Sequence, residues 1–160
     1  MQLSTIIAIL GAVCTLASPI IALLVKEKRQ NRLLETITSS RRKAIEGNWK
    51  ITCIQEIKGE GVPDGFTGTL SFEAGQKIVK GKIAYEHYKR GPAVLNLKGG
   101  FYNDRFLKLE YENEIYRVIQ FGVIILELSA NGSTLRGRLL GFGADSEMLV
   151  TGKITAEISR

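Results

Sequence analysis

The sequence predicts an all-β domain, an eight-stranded up-and-down β-barrel, carried behind an N-terminal transmembrane helix and a helical linker. Three observations point there. Residues 3–25 run for 23 positions without a charge. From Gly47 onward the chain alternates apolar and polar residues, the period of a strand with one buried face. The alternating stretches are separated mostly by short segments of turn-forming residues, so consecutive strands are placed to pair as hairpins. The organisation is therefore 1–25 transmembrane helix, 26–46 basic juxtamembrane linker and 47–160 β-barrel.

The first element reads LSTIIAILGAVCTLASPIIALLV from Leu3 to Val25. A helix rises about 1.5 Å per residue, so this stretch is long enough to cross a hydrocarbon core about 30 Å thick. Gly11 and Pro19 interrupt it, which membrane helices tolerate. A cleaved signal peptide is the competing reading. It asks for basic residues before the apolar run and a small-x-small site after it. Met1 and Gln2 carry no charge, whereas Lys26, Lys28, Arg29 and Arg32 follow the run, and Val13 suits a lipoprotein cleavage at Cys14 poorly. Basic residues that flank a span stay on the cytoplasmic side and attract anionic headgroups, so membrane lipid is an expected partner. The single-pass chain then has its C-terminal domain in the cytoplasm.

The linker holds seven Lys/Arg against three Glu, while residues 47–160 hold fifteen against thirteen acids. Most of the net charge of +6 is thus juxtamembrane. A DNA or RNA binder would carry its basic charge on the folded domain, so nucleic acid is not an expected partner. Composition predicts a helix from Lys26 to about Ile45, with Leu33, Leu34 and Ile37 forming a thin apolar stripe. The stripe serves either a solvated continuation of the span or a self-association helix. Cys14 lies in the span and Cys53 in a strand, so the two do not pair. With one histidine and no Cys/His cluster, neither a metal site nor a cofactor motif is legible.

Eight strands follow, at about Asn48–Ile57, Phe66–Glu73, Lys77–Glu86, Ala93–Tyr102, Arg105–Glu112, Ile115–Ser129, Thr134–Phe142 and Met148–Ile158. Their inward faces are Trp49, Ile51 and Cys53; Phe66, Leu70 and Phe72; Val79, Ile83 and Tyr85; Leu95, Leu97 and Phe101; Leu107, Leu109 and Tyr111; and Val150, Ile154 and Ile158. Glycines interrupt these faces and suggest tight curvature or the close approach of a backbone or ligand. Short sequential connections favour a closed barrel over an open sandwich. If strand one starts at the membrane-proximal end, the turns at 74–76, 103–104 and 130–133 share that end. The connections at 58–65, 87–92, 113–114 and 143–147 gather at the far end, which is then the open mouth.

No catalytic constellation is present. His87 reads as a loop-edge residue, and Glu110 and Glu112 fall on an outer face. The chain is expected not to be an enzyme. A ligand site is better supported, from Gln55, Tyr85, Tyr111 and Arg117 near the mouth. The tyrosines would stack on a planar ligand and Arg117 would pair with a phosphate. The competing reading has the tyrosines merely capping the core. The facing of Arg117 depends on whether strand six bulges near Gly122. In Val118–Leu128, Ile124, Leu126 and Leu128 point inward, leaving Ile119, Phe121, Val123 and Ile125 as an outward apolar stripe. Such a stripe fits a protein or membrane contact, or cover by the N-terminal helix.

Gly47-Asn48-Trp49 resembles the Gly-x-Trp of lipocalin-like barrels, in which the tryptophan plugs the closed end. The whole layout of membrane segment, basic linker and minimal barrel resembles the membrane-anchored β-barrel effectors of bacterial CBASS anti-phage systems. That group is also described as a two-TM, β-strand-rich effector family; this chain has one span where the family typically has two. The resemblance implies a bacterial inner-membrane protein whose barrel binds a cyclic dinucleotide. It further implies that binding drives homo-oligomerisation and membrane disruption, killing the infected cell. A tethered carrier of an apolar molecule and a structural protein with a solid barrel remain the alternatives.

Overall fold

Alternation with a period of two puts every second side chain on one face, and eight such strands joined in sequence close on themselves. The structure, a computed structural model, describes residues 36–103 and 105–159. Among these residues are one short helix, α1 (Ser39–Ile45), and eight strands: β1 (Gly47–Ile57), β2 (Gly65–Ala74), β3 (Val79–His87), β4 (Gly91–Tyr102), β5 (Phe106–Asn113), β6 (Phe121–Leu128), β7 (Thr134–Phe142) and β8 (Leu149–Ile158). Each strand pairs antiparallel with the next, and β8 pairs with β1, so the sheet is a closed up-and-down barrel. The span expected at Leu3–Val25 lies outside the described residues. Among those described, no helix is long and apolar enough to cross a membrane.

The inward sets expected from alternation line the barrel. Trp49, Ile51, Leu70, Ile83, Leu107, Leu109, Ile124, Leu126 and Ile154 are buried, and no charged residue is buried among those described. Every strand boundary falls within two residues of expectation except the start of β6. The apolar run Ile115–Ile119 was expected to open that strand, and here it forms part of the turn before it. Asn113 explains the difference, because its Oδ1 accepts the Ile115 N–H at 2.9 Å and its own N–H reaches the Gln120 carbonyl at 2.9 Å. Val118 N–H then bonds the Ile115 carbonyl at 2.8 Å. A side chain that captures a nearby backbone donor competes with strand pairing. Tyr116 is left 84% exposed.

Through Gly122 the register is continuous, with Gly122 opposite Tyr111 on one side and Gly141 on the other. The irregularity lies instead in β1, whose pairing with β8 shifts between Gln55 and Ile57. Of the linker helix expected from Lys26 to about Ile45, residues 26–35 lie outside the described residues, and residues 36–38 are not helical. Thr38 is extended and its Oγ1 accepts the Arg41 N–H at 3.3 Å, so it caps α1 and the helix begins at Ser39. Just before it, Ile37 is buried and its N–H bonds the Gln76 carbonyl in the β2–β3 turn at 2.7 Å.

The two ends of the barrel differ. The end bearing α1 is plugged by Trp49, which is 0% exposed and donates its indole N–H to the Ile45 carbonyl at 2.9 Å. That carbonyl belongs to the last turn of the helix, where an acceptor has no helical partner of its own. Residues 75–78, the β4–β5 connection and residues 129–133 lie at this end, and 58–64, 88–90, 114–120 and 143–148 connect strands at the other.

Candidate functional site

At the end away from α1 the barrel opens into a cavity of about 100 Å³. Its floor is core side chains such as Ile83, Leu95 and Ile124, and its walls carry Gln55, Phe66, Tyr85, His87, Tyr111, Gln120 and Asp145. Sequence alternation delivers the strand residues here: Gln55 ends the inward face of β1, Tyr85 and His87 that of β3, and Tyr111 that of β5.

Tyr111 fits because of two glycines. A Cβ at Gly141 would stand 2.9 Å from Tyr111 Cζ, and one at Gly122 would stand 2.8 Å from its Cε1. The ring therefore lies across the paired Gly122–Gly141 backbones, in the close approach that absent side chains permit. Its phenol is pushed up to about 12 by burial, so it stays protonated at neutral pH. Among the described residues its hydroxyl has no hydrogen-bond partner. Tyr85 stands on Phe66, with ring centroids 4.5 Å apart and planes tilted by 31°. Burial raises its phenol as well, against a hydrogen bond from Gln120 and the Arg90 charge. The Tyr85 hydroxyl lies 3.2 Å from Gln120 Nε2, and Gln120 Oε1 accepts from Asn113 Nδ2 at 2.9 Å.

The polar wall is built around Asp145 in the β7–β8 connection. Its side chain is 10% exposed, and Arg90 donates to its Oδ1 at 2.5 Å. Burial raises its pKa, but Arg90 and His87 outweigh that and hold it below the ordinary carboxylate value. His87 is held below its ordinary value, first by burial and then by Arg90 and Lys89, against the pull of Asp145. His87 Nδ1 accepts the Lys89 N–H at 3.2 Å, which leaves the imidazole proton on Nε2, 3.4 Å from Asp145 Oδ2. The site at neutral pH thus presents a carboxylate, a neutral imidazole and two neutral phenols.

Of the residues expected from sequence, Gln55, Tyr85 and Tyr111 come together in the cavity, and Arg117 does not. It sits exposed in the turn before β6, its guanidinium 5.7 Å from the Tyr116 ring centre and its Nε donating to the Tyr116 hydroxyl at 3.1 Å. The turn that Asn113 sets up removes it from the inward face. It remains at the mouth end of the barrel. Lys89 is a second rim cation, 5.1 Å over the Tyr88 ring, whereas Lys58 is engaged by Asp64 at 2.5 Å. His87, at the loop edge where β3 ends, also lines the mouth. Gln120 and Asp145 were not anticipated: Asp145 lies in a loop, which carries no periodicity that reveals burial, and Gln120, though in phase with Ile124 and Leu126, stood in a run expected to be strand. Glu110 and Glu112 face outward and are exposed, as expected.

No protein-family model matches the chain, and no curated protein matches it. Solved structures do. A redesigned beta barrel superposes with a TM-score of 0.62 at 10% identity, covering 78% of this chain and 100% of that one. A second redesigned beta barrel, mFAP1, bound to DFHBI, gives 0.55 at 14% identity, covering 74% and 99%. A de novo fluorescence-activating beta barrel gives 0.54 at 9% identity, covering 75% and 99%. Likeness at such identities is a likeness of fold.

Proposed function

We propose that this chain is a membrane-anchored receptor and effector for a cyclic dinucleotide in anti-phage defence. One observation carries the reading: a barrel plugged at one end opens at the other into a small cavity walled by aromatic rings and polar groups. Size constrains how the ligand sits. Engineered cavities of about 150 Å³ take a benzene ring, so about 100 Å³ below an open mouth holds at most part of one ring, with the rest of a dinucleotide outside. One base enters between Tyr85 and Tyr111, and the ribose–phosphate ring stays outside. Arg117 and Lys89, which lie over tyrosine rings and not against carboxylates, are the rim cations placed to meet phosphate. One designed barrel of similar fold is bound to DFHBI, which supports ligand occupancy of so small a barrel.

Binding is coupled to output by association of barrels. The outward stripe on β6 is exposed at Phe121 and Ile125 and continues onto Leu140 of β7 and Leu149 of β8. A cross-strand pair of rings, Phe121 and Phe142, stiffens it at a centroid distance of 6.0 Å. Association through this face clusters the Leu3–Val25 segments in the inner membrane. A carrier of a purely apolar molecule fits less well, because it would dry a wall containing Gln55, Gln120, His87 and Asp145 without replacing their water.

The test is thermal unfolding of the purified full chain in detergent micelles with cyclic di-adenylate, cyclic di-guanylate and the mixed dinucleotide. At least one should raise the midpoint in a saturable way, and Arg117→Ala should weaken that effect. No shift with any of the three contradicts the ligand class. A shift without any change in mass by light scattering retains the receptor and removes the association step.

A further inference from the structure

Two buried acceptors on the cavity wall have no hydrogen-bond donor, Gln55 Oε1 and Asp145 Oδ2. Most neighbouring donors are engaged elsewhere, and the Tyr88 hydroxyl, which helps hold the Asp145 carboxyl low, makes no hydrogen bond to Oδ2. Gln120 is held between Tyr85 and Asn113, Arg90 is spent on Asp145 Oδ1, and His87 Nδ1 is taken by the Lys89 N–H. His87 Nε2 stands 3.4 Å from Asp145 Oδ2 but makes no hydrogen bond to it. A buried acceptor left without a donor is destabilising, and native proteins fill such positions with a partner.

The two acceptors differ in what they demand. The Gln55 amide can rotate to present either oxygen or nitrogen. Asp145 is a carboxylate with its pKa depressed and can only accept. The Asp145 oxygen therefore calls for an N–H or O–H donor. Phe66, Tyr85 and Tyr111 line the same cavity and favour a flat ring, and the volume admits no more than one, entering from the open mouth.

Resting on the receptor reading above, we infer that the mouth selects a planar nitrogen heterocycle carrying an exocyclic amino group, whose N–H donates to Asp145 Oδ2 while Gln55 turns its amide to meet the adjoining ring edge. The same ring bearing a methyl in place of the amino group fills the volume equally and leaves the carboxylate oxygen unmet. A single hydrogen bond to a buried charged group separates the two by about tenfold in affinity.

The experiment titrates 2-aminopyrimidine and 2-methylpyrimidine into the full chain in detergent micelles, read by saturation-transfer NMR. In the wild type the amino compound should bind about tenfold more tightly. In Asp145→Asn, Arg90 retains the remaining side-chain oxygen, so the new amide nitrogen faces the ligand donor and the preference should disappear. The wild-type comparison decides the matter even if that variant unfolds. Equal binding of the two compounds overturns the inference and leaves the receptor reading standing. Binding of neither, with a cyclic dinucleotide still raising the unfolding midpoint, also overturns it, because the two acceptors are then met by water only. If no ligand of either kind binds, both readings fail.

Discussion

Replacing Trp49 by phenylalanine should destabilise the protein nearly as much as replacing it by alanine. Trp49 is the largest fully buried side chain, and its indole N–H is the donor to a buried helix-end carbonyl, that of Ile45, at 2.9 Å. Phenylalanine keeps most of the ring but no donor. Leaving a buried acceptor unmet costs about 1–3 kcal/mol, and the lost pyrrole atoms add about 1 kcal/mol at the usual value per buried methylene. Trp49→Phe should thus cost about 2–4 kcal/mol, against about 3–5 kcal/mol for a truncation to alanine. The assay is urea unfolding of the full chain in detergent followed by far-UV circular dichroism, since the variants lack the sole tryptophan. Hydrogen exchange over α1 should rise in the phenylalanine variant as its end frays. A cost for Trp49→Phe within about 0.5 kcal/mol, the range of ordinary surface changes, would refute the idea that this hydrogen bond closes the barrel.

Other consequences follow from the same geometry. Gly141→Ala places a Cβ against the Phe121 carbonyl and the Tyr111 hydroxyl, so it should cost about 1–3 kcal/mol in urea unfolding and displace Tyr111 from the cavity wall. Cys53 is 1% exposed with its thiol pushed up to about 12 by burial; mass mapping after iodoacetamide at pH 8 should find it unmodified in the folded protein and alkylated in urea. His87 is depressed below its ordinary 6.5 in the folded state, so the unfolded chain takes up that proton first and stability should fall as pH drops below about 6.5. Asp145, depressed in the same sense from 3.8, extends the loss to lower pH, and His87→Gln should flatten the profile just below about pH 6.5 and also weaken the acid part, since the charged His87 helps hold Asp145 low. Ile125→Lys on the exposed stripe should change unfolding by no more than about 0.5 kcal/mol while abolishing ligand-induced association in light scattering.

Strands were legible because alternation is a direct imprint of a half-buried sheet, and the closure followed from hairpin connections that leave no room for crossovers. Trp49 was legible as the plug from its place after Gly47 at the entrance to β1. Arg117 was misplaced for a specific reason: Ile115, Val118 and Ile119 read as strand, while the turn depends on one side chain, Asn113, outside that run. The start of α1 at Ser39 had a signal in Thr38-Ser39-Ser40, a capping composition overridden by the helix-favouring residues around it. Asp145 had none. Its burial arises from loops meeting in space: a Cβ at Gly59 in the β1–β2 connection would stand 2.7 Å from the Cβ of Ser146 beside it. Contacts between loops distant in sequence leave no period to read.

The central claim is that ligand enters at Tyr85 and Tyr111, at the end opposite Trp49. It is tested most directly by NMR of the full chain carrying 3-fluorotyrosine and a labelled indole, titrated with the three cyclic dinucleotides. The fluorine signals of Tyr85 and Tyr111, assigned by single Tyr→Phe replacements, should move saturably with at least one of them while the Trp49 indole N–H stays in place. Saturable binding that leaves both tyrosine signals unmoved, or that moves only the indole, would contradict the account.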